Sequence, residues 1–517
     1  MLVPFKNEPF TNFSCPDAQQ KMKEALALVR SQLGREYPLL IDGEHIVTER
    51  KITSINPSNK TEVVGVVSSA DRVLAEKAIN AATVAFESWR KVNPRTRAEY
   101  LFKAAAILRR RKYEFASWMV IEEGKNWPEA DGDVAEAIDF LDFYARQMIE
   151  LSKPKELTRI PNEDNEVEYI PIGVGAVIPP WNFPLAILVG MTTAAIVSGN
   201  PVVLKPASTA VVIAAKFVEV LEEMNLPKGV INFIPGSGAE IGDFIVTHPK
   251  IRFISFTGSK EVGMRIYELA GKVSPGQIWL KRVVAEMGGK DAMLIDDEIF
   301  DFDFIVDEIV RAAFGFQGQK CSACSRLMVH EKLYDTLVPA VVERVKQLVK
   351  VGDPAEQSTF MGPVIDAAGF KKISEYIEIG KKEGELLLGG TCDDSKGFFI
   401  QPTIIGNVPR TARIANEEIF GPVLAVVKVK SFEEGLDVVN STEFGLTGSI
   451  VSAHREHIEI AKRDFHVGNL YVNKRCTGAL VGVHPFGGFN MSGTDSKAGG
   501  FDYLLLFTQA KSISERM

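Results

Sequence analysis

Apolar residues recur at helical spacing in the first part of the chain, which predicts helices over residues 75–92, 97–121 and 133–151. From Gly173 onward the pattern changes to short apolar runs that alternate with amphipathic segments. The runs predict strands at 175–179, 201–204, 230–234, 251–256 and 277–285. Such alternation is typical of a parallel sheet covered by helices, which binds ligands beyond the carboxyl ends of its strands.

A second series of strands and helices begins after Gly288 and continues to about Asn473. It is long enough to be a separate domain, so we place a boundary near Gly288 and Gly289. A glycine-rich stretch, 485–500, precedes the C-terminal residues. The pattern alone leaves that tail as either an oligomerisation arm or a closing strand.

Composition narrows the class of protein. A chain of 517 residues is expected to contain more than one domain, and 46% hydrophobic with 24% charged residues is typical of an ordinary folded protein. The net charge of −8 and the lack of a basic cluster argue against a nucleic-acid partner. Residues 169–204 carry no charge, but prolines and glycines interrupt them. We therefore expect a buried element there and no membrane partner.

Cysteine content and the N-terminal sequence bear on the compartment. Five cysteines are too sparse and irregular for a disulfide framework, which indicates a reducing environment. The first residues show neither a signal-peptide nor a transit-peptide pattern. We expect a cytoplasmic protein.

Two glycine-containing turns follow predicted strands and open helices. In the loop from Gly236 to Gly242, small residues would let backbone N–H groups approach a pyrophosphate, although a tight turn is an equally good interpretation. The segment 256–259 places another helix N-terminus at the same sheet edge. Together they favour a dinucleotide crevice.

Cys321 lies in the polar, glycine-containing segment 318–325. The adjacent Lys320 favours a thiolate and hence a nucleophile, whereas a structural cysteine remains the alternative. A metal site is disfavoured because no matching ligand cluster accompanies Cys321. A redox role for the pair Cys321 and Cys324 is also disfavoured, because the pair is not near the start of a βαβ unit. His454 and His457 are expected to be solvated on an exposed helix.

Two further side chains could take part in catalysis. Glu286 ends an apolar strand and enters a glycine turn, so partial desolvation should raise its pKa toward that of a general base. A capping or salt-bridged glutamate is the alternative. Asn182, held between prolines, is either a neutral hydrogen-bond donor or a structural turn residue.

Several motifs together carry a specific resemblance: PWNFP at 180–184, LKPAS at 204–208, FTGS at 256–259, EMGGK at 286–290, GQKCSA at 318–323, EEIFGP at 417–422 and PFGGF at 485–489. From about residue 40 to its end the chain resembles the aldehyde dehydrogenase superfamily. The resemblance implies an α/β fold with a Rossmann-type cofactor domain (1–287, interrupted by a bridging β-hairpin at 146–172), an α/β catalytic domain (288–477) and a C-terminal bridging segment (490–517). It also implies a homodimer or a higher homo-oligomer.

The resemblance also implies a mechanism. Cys321 attacks an aldehyde, the Asn182 amide and the Cys321 backbone N–H hold the resulting oxygen, and Glu286 activates water to release the acid. A non-catalytic scaffold is the rival from another class. Transfer of the acyl group to coenzyme A is disfavoured because Glu286 is present.

NAD is the cofactor that the family implies, with Lys205 on the adenosine ribose and Glu418 on the nicotinamide ribose. Strictly NAD-selective members have a glutamate where this chain has Ser208, so we expect that NADP is tolerated. The full implied set of cofactor-binding residues is Pro179, Trp181, Lys205, Ser208, Gly238, Thr257, Gly258, Ser259, Gly263, Glu418 and Phe420.

Within the superfamily the chain is most similar to members that oxidise L-glutamate γ-semialdehyde in proline breakdown. The similarity lies in Ser322, in the loop 474–479 and in the block 123–131. Another small semialdehyde, such as succinic semialdehyde, is the alternative. We name Glu136 as the candidate partner of the substrate ammonium. Arg475 and Cys476 are assigned no role. No metal is expected. The implied substrate-binding residues are Phe183, Ser322, Gly478, Ala479 and Phe486.

Overall fold

The computed structural model describes residues 3–517. Its helices are α1 (Pro16–Arg30), α2 (Arg72–Trp89), α3 (Pro94–Arg110), α4 (Lys112–Glu122), α5 (Trp127–Leu151), α6 (Ala186–Val197), α7 (Val211–Glu223), α8 (Asp243–Thr247), α9 (Lys260–Gly271), α10 (Phe302–Phe314), α11 (Glu331–Leu348), α12 (Ala367–Glu383), α13 (Arg413–Asn416), α14 (Phe432–Val439) and α15 (Arg455–Asp464).

The strands in the first half of the chain are β1 (Arg35–Tyr37), β2 (Leu39–Ile41), β3 (Glu44–Ile46), β4 (Lys51–Asn56), β5 (Asn59–Ser68), β6 (Glu163–Pro171), β7 (Gly175–Ile178), β8 (Val202–Leu204), β9 (Ile231–Phe233), β10 (Phe253–Thr257) and β11 (Arg282–Glu286). Those in the second half are β12 (Ala292–Ile295), β13 (Arg326–His330), β14 (Glu385–Leu388), β15 (Cys392–Asp393), β16 (Phe399–Ile400), β17 (Thr403–Gly406), β18 (Val423–Val429), β19 (Phe444–Gly445), β20 (Thr447–Val451), β21 (Asn469–Val472), β22 (Phe489–Asn490) and β23 (Thr508–Arg516).

Two seven-stranded sheets dominate the described chain. The first has the strand order β11-β10-β7-β8-β9-β2-β3, in which the five strands from β11 to β9 run parallel. The second has the order β14-β17-β18-β13-β12-β20-β21, parallel except for β14. The chain leaves the first sheet at Glu286 and enters the second at Ala292.

The predicted helix over 97–121 is wrong as a single helix. Arg111 adopts φ −100° and ψ 15°, outside the helical region, and separates α3 from α4. The predicted strand 277–285 is also too long, because the chain is a strand only from Arg282 onward. Gly276, with φ +80°, makes a turn just before the predicted start.

A two-stranded antiparallel ribbon joins distant parts of the chain. Strand β6 pairs with β23 from Glu163 opposite Arg516 to Pro171 opposite Thr508. The predicted hairpin at 146–172 begins too early, because residues 146–151 are the last turns of α5, whose apolar periodicity continues to Met148. The partner strand comes from the C-terminal tail.

The C-terminal tail also closes one wall of the core. Before β23, a 3₁₀ turn (Tyr503–Phe507) packs against the first sheet, with the Phe507 and Phe253 rings 5.3 Å apart. Helix α6 is buried along almost its whole length and contacts α5. These elements cover the face of β10 and β11 that leads to Glu286.

Candidate active site

The carboxyl edge of the first sheet gathers most of the predicted cofactor residues. Because β7, β8, β10 and β11 run parallel, the residues that follow or end each strand reach the same edge. Pro179 and Trp181 follow β7, Lys205 follows β8, Thr257 ends β10 and Glu286 ends β11. Ser259 caps α9 by accepting a hydrogen bond from the Val262 N–H, so its hydroxyl stays at the helix N-terminus.

The groups at this edge fit a dinucleotide. Lys205 is buried, and within residues 3–517 it has no carboxylate partner, while burial lowers its pKa to about 8. The ribose hydroxyls or phosphate oxygens of a bound dinucleotide could supply the partner that this buried ammonium lacks. A Cβ placed on Gly238 would meet no described atom within 4 Å, which leaves space above that loop.

The opposite wall of this crevice comes from the second sheet. The Glu418 carboxylate accepts a hydrogen bond of 3.0 Å from the Gly289 N–H, and burial raises the Glu418 pKa. A Cβ on Gly288 would lie 2.1 Å from Glu418 Oε1, so any larger residue would displace the Glu418 carboxylate from this position. Phe420 is held at φ +60° and meets the edge of Trp181 at 5.5 Å between ring centroids.

Helix α9 approaches the same site closely. A Cβ on Gly263 would lie 2.4 Å from the sulfur of Met287, in the glycine turn after Glu286. Gly258 is similarly constrained, since its Cβ would meet the ring of Phe256 at 2.6 Å. These glycines bring the helix N-terminus against the crevice.

Cys321 is presented by a constrained loop before β13. Phe316 and Gln317 adopt positive φ values of 48° and 57°, which cost about 1–3 kcal/mol each. Side-chain hydrogen bonds hold this conformation: Gln317 Nε2 donates to the carbonyls of Gly124 and Pro363 at 3.1 and 2.7 Å. The loop is therefore anchored to both sides of the site.

Glu286 faces the Cys321 thiol. Burial raises the pKa of Glu286 to about 8, with Glu418 and Asp291 adding to the rise and the thiol opposing it. Burial also raises the Cys321 pKa well above its ordinary value, and the carboxylates of Glu286 and Asp291 contribute further. At neutral pH the free thiol is protonated, so Cys321 would need a base in order to act as a nucleophile.

The prediction that Lys320 favours a thiolate is wrong. The Lys320 ammonium turns to Glu129, 2.7 Å away, and carboxylates rather than a cation surround Cys321. Burial alone would raise the pKa of the Glu129 carboxyl, but the neighbouring Lys320 ammonium holds that pKa below its ordinary value. Sequence proximity placed the lysine beside the thiol, but its long side chain reaches a different partner.

Asn182 is fixed beside the nucleophile loop. Its side chain is buried, and Nδ2 donates to the carbonyl oxygen of Gln319 at 3.2 Å. The Gln319 side chain in turn accepts a hydrogen bond of 2.9 Å from the Ile365 N–H. The amide is therefore oriented before any ligand arrives.

A cavity of about 750 Å³ lies over Cys321 and Glu286. Ser322 at one end is hydrogen-bonded to Thr477 through their hydroxyls at 2.9 Å. Glu136 also borders the cavity, and burial raises its pKa to about 8, with Asp133 adding to the rise. All five predicted substrate residues line the same space: Phe183, Ser322, Gly478, Ala479 and Phe486.

Sequence reasoning missed a buried ion pair behind this cavity. The Lys125 ammonium lies 2.8 Å from Asp133, both side chains are fully buried, and the ammonium sits 4.2 Å from the centroid of Phe183. The other Asp133 oxygen accepts the Ala186 N–H at 2.6 Å. The pair thus tethers the loop that carries Asn182. Lys125 lies in the 123–131 block, so its polarity was visible but its burial was not.

The expectation that His454 and His457 are solvated holds only in part: both rings remain partly exposed, but each has a carboxylate partner. His454 Nε2 lies 2.8 Å from Asp297, and His457 Nδ1 lies 2.6 Å from Asp296. Asp296, Asp297 and His454 are close enough to share a metal ion, but their polar atoms bond to one another and to Lys332. This cluster lies outside the catalytic cavity.

Among residues 3–517, no helix has the length and apolar content needed to span a bilayer. The uncharged segment 169–204 instead forms the end of β6, then β7, α6 and β8 with their connections.

Comparisons with known proteins agree with this geometry. Residues 45–513 match the aldehyde dehydrogenase family. The chain is 59% identical to the 1-pyrroline-5-carboxylate dehydrogenase of Geobacillus sp. (strain WCH70), over 100% of both chains. Its fold matches that of the 1-pyrroline-5-carboxylate dehydrogenase from Thermus with bound NAD, with a TM-score of 0.98, 50% identity and 100% coverage of both.

A larger protein contains a similar unit. Proline utilization A from Bdellovibrio bacteriovorus matches with a TM-score of 0.97 and 43% identity, over 99% of this chain and 53% of that one. The predicted fold class and the predicted resemblance are both confirmed. The chain belongs to the aldehyde dehydrogenase family.

Proposed function

We propose that this protein oxidises L-glutamate 5-semialdehyde, the open form of 1-pyrroline-5-carboxylate, to L-glutamate with NAD. The observation that carries the proposal is the cavity in which Cys321 and Glu286 lie with Ser322 and the Gly478–Ala479 turn. Full-length relatives at 59% identity carry the corresponding activity in their name. The proposal makes the protein an enzyme of proline degradation.

The α-carboxylate end of the substrate would bind at Ser322. Its hydroxyl already has Thr477 as a partner and can reorient to donate to a carboxylate oxygen. The backbone N–H groups of Gly478 and Ala479 would add two donors, and Gly478 has the φ of +92° that such a turn requires. Glu136 would receive the substrate ammonium, which would favour its ionised form.

Aromatic rings would enclose the aliphatic middle of the substrate. Phe183 and Phe486 border the same cavity as Ser322 and Cys321. Lys125 sits against the ring of Phe183 on its buried side and keeps the ring in place.

In the first half-reaction Glu286 would take the thiol proton as the Cys321 sulfur bonds to the aldehyde carbon. The aldehyde oxygen would then carry negative charge. Asn182 Nδ2 and the Cys321 backbone N–H would donate to it, and an oriented donor of this kind contributes about 2.7–4 kcal/mol.

Lys205, Ser208, Gly238, Thr257, Ser259 and Glu418 would hold NAD along the crevice, with Trp181 and Phe420 at its walls. Bound NAD supplies the acceptor for the hydride that leaves the substrate carbon. Glu286 would first release the thiol proton to solvent. It would then deprotonate the water that hydrolyses the thioester on Cys321.

Two finer properties follow from the same residues. Ser208 is exposed at the start of the helical turn before α7, so no carboxylate there would repel a 2′-phosphate, and we propose that NADP is tolerated. The functional domains would be 1–287 and 288–477, with 490–517 as the bridging segment.

The β6–β23 ribbon would pair with a second copy of the chain. Close to it lies an exposed apolar surface at Val273, Ile278 and Leu280, which are 60%, 85% and 76% exposed. Covering such a surface is the ordinary reason for a homodimer. A cytoplasmic location stays a prediction, supported by the free state of all five cysteines.

Steady-state kinetics with L-glutamate 5-semialdehyde, succinic semialdehyde and a simple aliphatic aldehyde, each with NAD and NADP, tests the proposal. We expect the highest kcat/KM with the amino-acid substrate and NAD. A preference for succinic semialdehyde would establish the alternative substrate. No NADH formation from any aldehyde would identify a scaffold.

A further inference from the structure

Part of the cavity lining near Glu286 consists of buried residues, and we call this part the side branch. This branch lies between the face of β10 and β11, helices α5 and α6, and the 3₁₀ turn Tyr503–Phe507. The residues bordering it are Phe140, Tyr144, Met191, Ser255, Val284 and Tyr503. The reaction proposed above leaves the polar groups of this branch without a role.

Strand register places Ser255 on the same sheet face as Glu286, on the neighbouring strand and two residues further from the sheet edge. Thr257 pairs with Glu286, and Ser255 pairs with Val284, in the parallel β10–β11 ladder. Side chains two residues apart share a face, so Ser255 lies on the Thr257 face of β10, about 6.6 Å further from the sheet edge. Ser255 is therefore a polar residue near Glu286 on a face whose other residues are mostly apolar.

Several polar atoms of the branch lack protein partners. Within residues 3–517, Glu286 Oε1 and Ser255 Oγ are both buried without a hydrogen bond. The Tyr503 hydroxyl lies beside Ser255, and its ring stacks on Tyr144 at 5.5 Å and 13°. The Tyr144 hydroxyl accepts the Gly499 N–H at 2.9 Å and keeps its own proton to donate. Unsatisfied buried atoms cost about 1–3 kcal/mol each, which ordered water would remove.

Thioester hydrolysis requires a route for one proton. Water adds to the thioester carbon, the carbon–sulfur bond breaks, and the product carboxylate forms. Two protons are released in this step; one returns to the Cys321 sulfur to restore the thiol, and Glu286 holds the other. During this step the acyl group occupies the cavity toward Ser322, and the cofactor occupies the crevice at the sheet edge. The side branch is therefore the direction that stays open for the proton on Glu286.

We propose that Ser255 and Tyr503 hold a chain of water that carries this proton from Glu286 into the side branch during thioester hydrolysis. Water in the same cavity then passes it to bulk solvent at the exposed rim beside Phe10 and Pro128. The inference rests on the proposed function for the identity of the acyl group only. A hydroxyl both accepts and donates, so each of the two side chains passes a proton without a net change of charge. Both residues are proton-relay residues that touch water, and neither contacts the reacting carbon.

An activated ester isolates the step. p-Nitrophenyl acetate acylates Cys321 directly, so a burst of p-nitrophenolate reports acylation and the following steady rate reports hydrolysis of the acyl-enzyme, with no hydride transfer. We would compare the full-length wild type with Tyr503→Phe and Ser255→Ala. Tyr37→Phe is the matched control, because Tyr37 also has a buried hydroxyl without a described partner and lies away from the cavity.

We expect an unchanged burst and a steady rate about tenfold lower in each relay variant, with a larger solvent deuterium isotope effect on the steady rate. The control should match the wild type in all three readouts. Steady rates within twofold of wild type in both relay variants would overturn the proposal. An equal loss of burst and steady rate would also overturn it, since that result indicates altered packing. If Tyr503→Phe does not fold, Ser255→Ala decides alone.

The ester assay does not depend on which aldehyde the protein prefers. A failed substrate panel with normal ester hydrolysis would therefore overturn the proposed function and leave the proton route standing.

Discussion

The two seven-stranded sheets contribute opposite edges to the active site. The first sheet presents its carboxyl edge, from which Lys205, Thr257 and Glu286 project. The second presents its amino edge: the loops before β13 and β18 carry Cys321 and Glu418. The carboxyl edge of the second sheet lies elsewhere and carries Asp296, which follows β12.

This difference shows why charge at a sheet edge does not by itself mark a site. At the first sheet's carboxyl edge Lys205 and Glu286 are left without neutralising partners in the described chain. At the second sheet's carboxyl edge Asp296 accepts hydrogen bonds from Ser452 and His457, both at 2.6 Å. Unsatisfied polar groups indicate a place for ligands, whereas satisfied ones stabilise the fold.

The largest expected effect separates the two edges that meet at the site. Cys321→Ala should lower NADH formation by more than about 10⁴-fold, because no covalent adduct forms. NAD binding, measured by calorimetry, should change little, since Lys205 and Glu418 remain. Loss of NAD binding would mean that the nucleophile loop also supports the cofactor crevice.

Glu286→Gln tests the base contributed by the first sheet. We expect turnover to fall about 10²–10⁴-fold and the first burst of NADH to slow, because Glu286 faces both the thiol and the attacking water. Stopped-flow measurement of NADH absorbance resolves the two phases. A burst at the wild-type rate would show that another group deprotonates Cys321.

The pH profile gives an independent check on Glu286. Burial raises the Glu286 pKa to about 8, and only the ionised form acts as a base. Hydrolysis of the acyl-enzyme should therefore accelerate as pH rises from 6 to 9. Its midpoint should not lie below about 8, because the acylated Cys321 no longer donates the hydrogen bond that lowers the Glu286 pKa. In Glu286→Gln this rise should disappear, and a rise that persisted would have to come from another group.

Ser322→Ala addresses the substrate end of the second sheet's loop. Loss of one hydrogen bond to the substrate carboxylate should raise KM for L-glutamate 5-semialdehyde about tenfold. The kinetics of a simple aliphatic aldehyde, which has no carboxylate, should change less than twofold. Equal effects on both substrates would indicate a disturbance of Cys321 instead of a lost anchor.

How much of this comparison was accessible from sequence depends on the range of the interaction. The strand and helix alternation predicted both sheets. Local features, a strand end and a glycine turn, singled out Glu286 but left a capping role open, and the resemblance supplied its proposed role as a base. The Lys320–Glu129 contact and the buried Lys125–Asp133 pair were not predicted. They depend on which distant side chain each long lysine reaches, and no spacing rule gives that.

The range of the interaction also explains what the sequence interpretation lacked at the ribbon and at His457. Apolar spacing predicted the helix through residue 151, and the hairpin that the resemblance implied overlapped its last turns. The register of β6 with a strand more than 300 residues later depends on the fold. His457 appeared polar and exposed on its own helix, but its ring stacks on Phe432 at 4.2 Å. Both features arise from tertiary contacts.

Asp296→Asn should have the smallest effect on activity and so tests the contrast between the edges most directly. The amide keeps the shape of the carboxylate but weakens the charge-assisted hydrogen bonds from Ser452 and His457, so the melting temperature should fall by a few degrees. Because Asp296 lies outside the cavity, kcat and KM should stay within twofold of wild type. A loss of activity larger than the loss of stability would couple the far edge of the second sheet to Cys321. The distinction between unsatisfied and satisfied edges would then fail, since a self-paired cluster would be controlling the site from a distance.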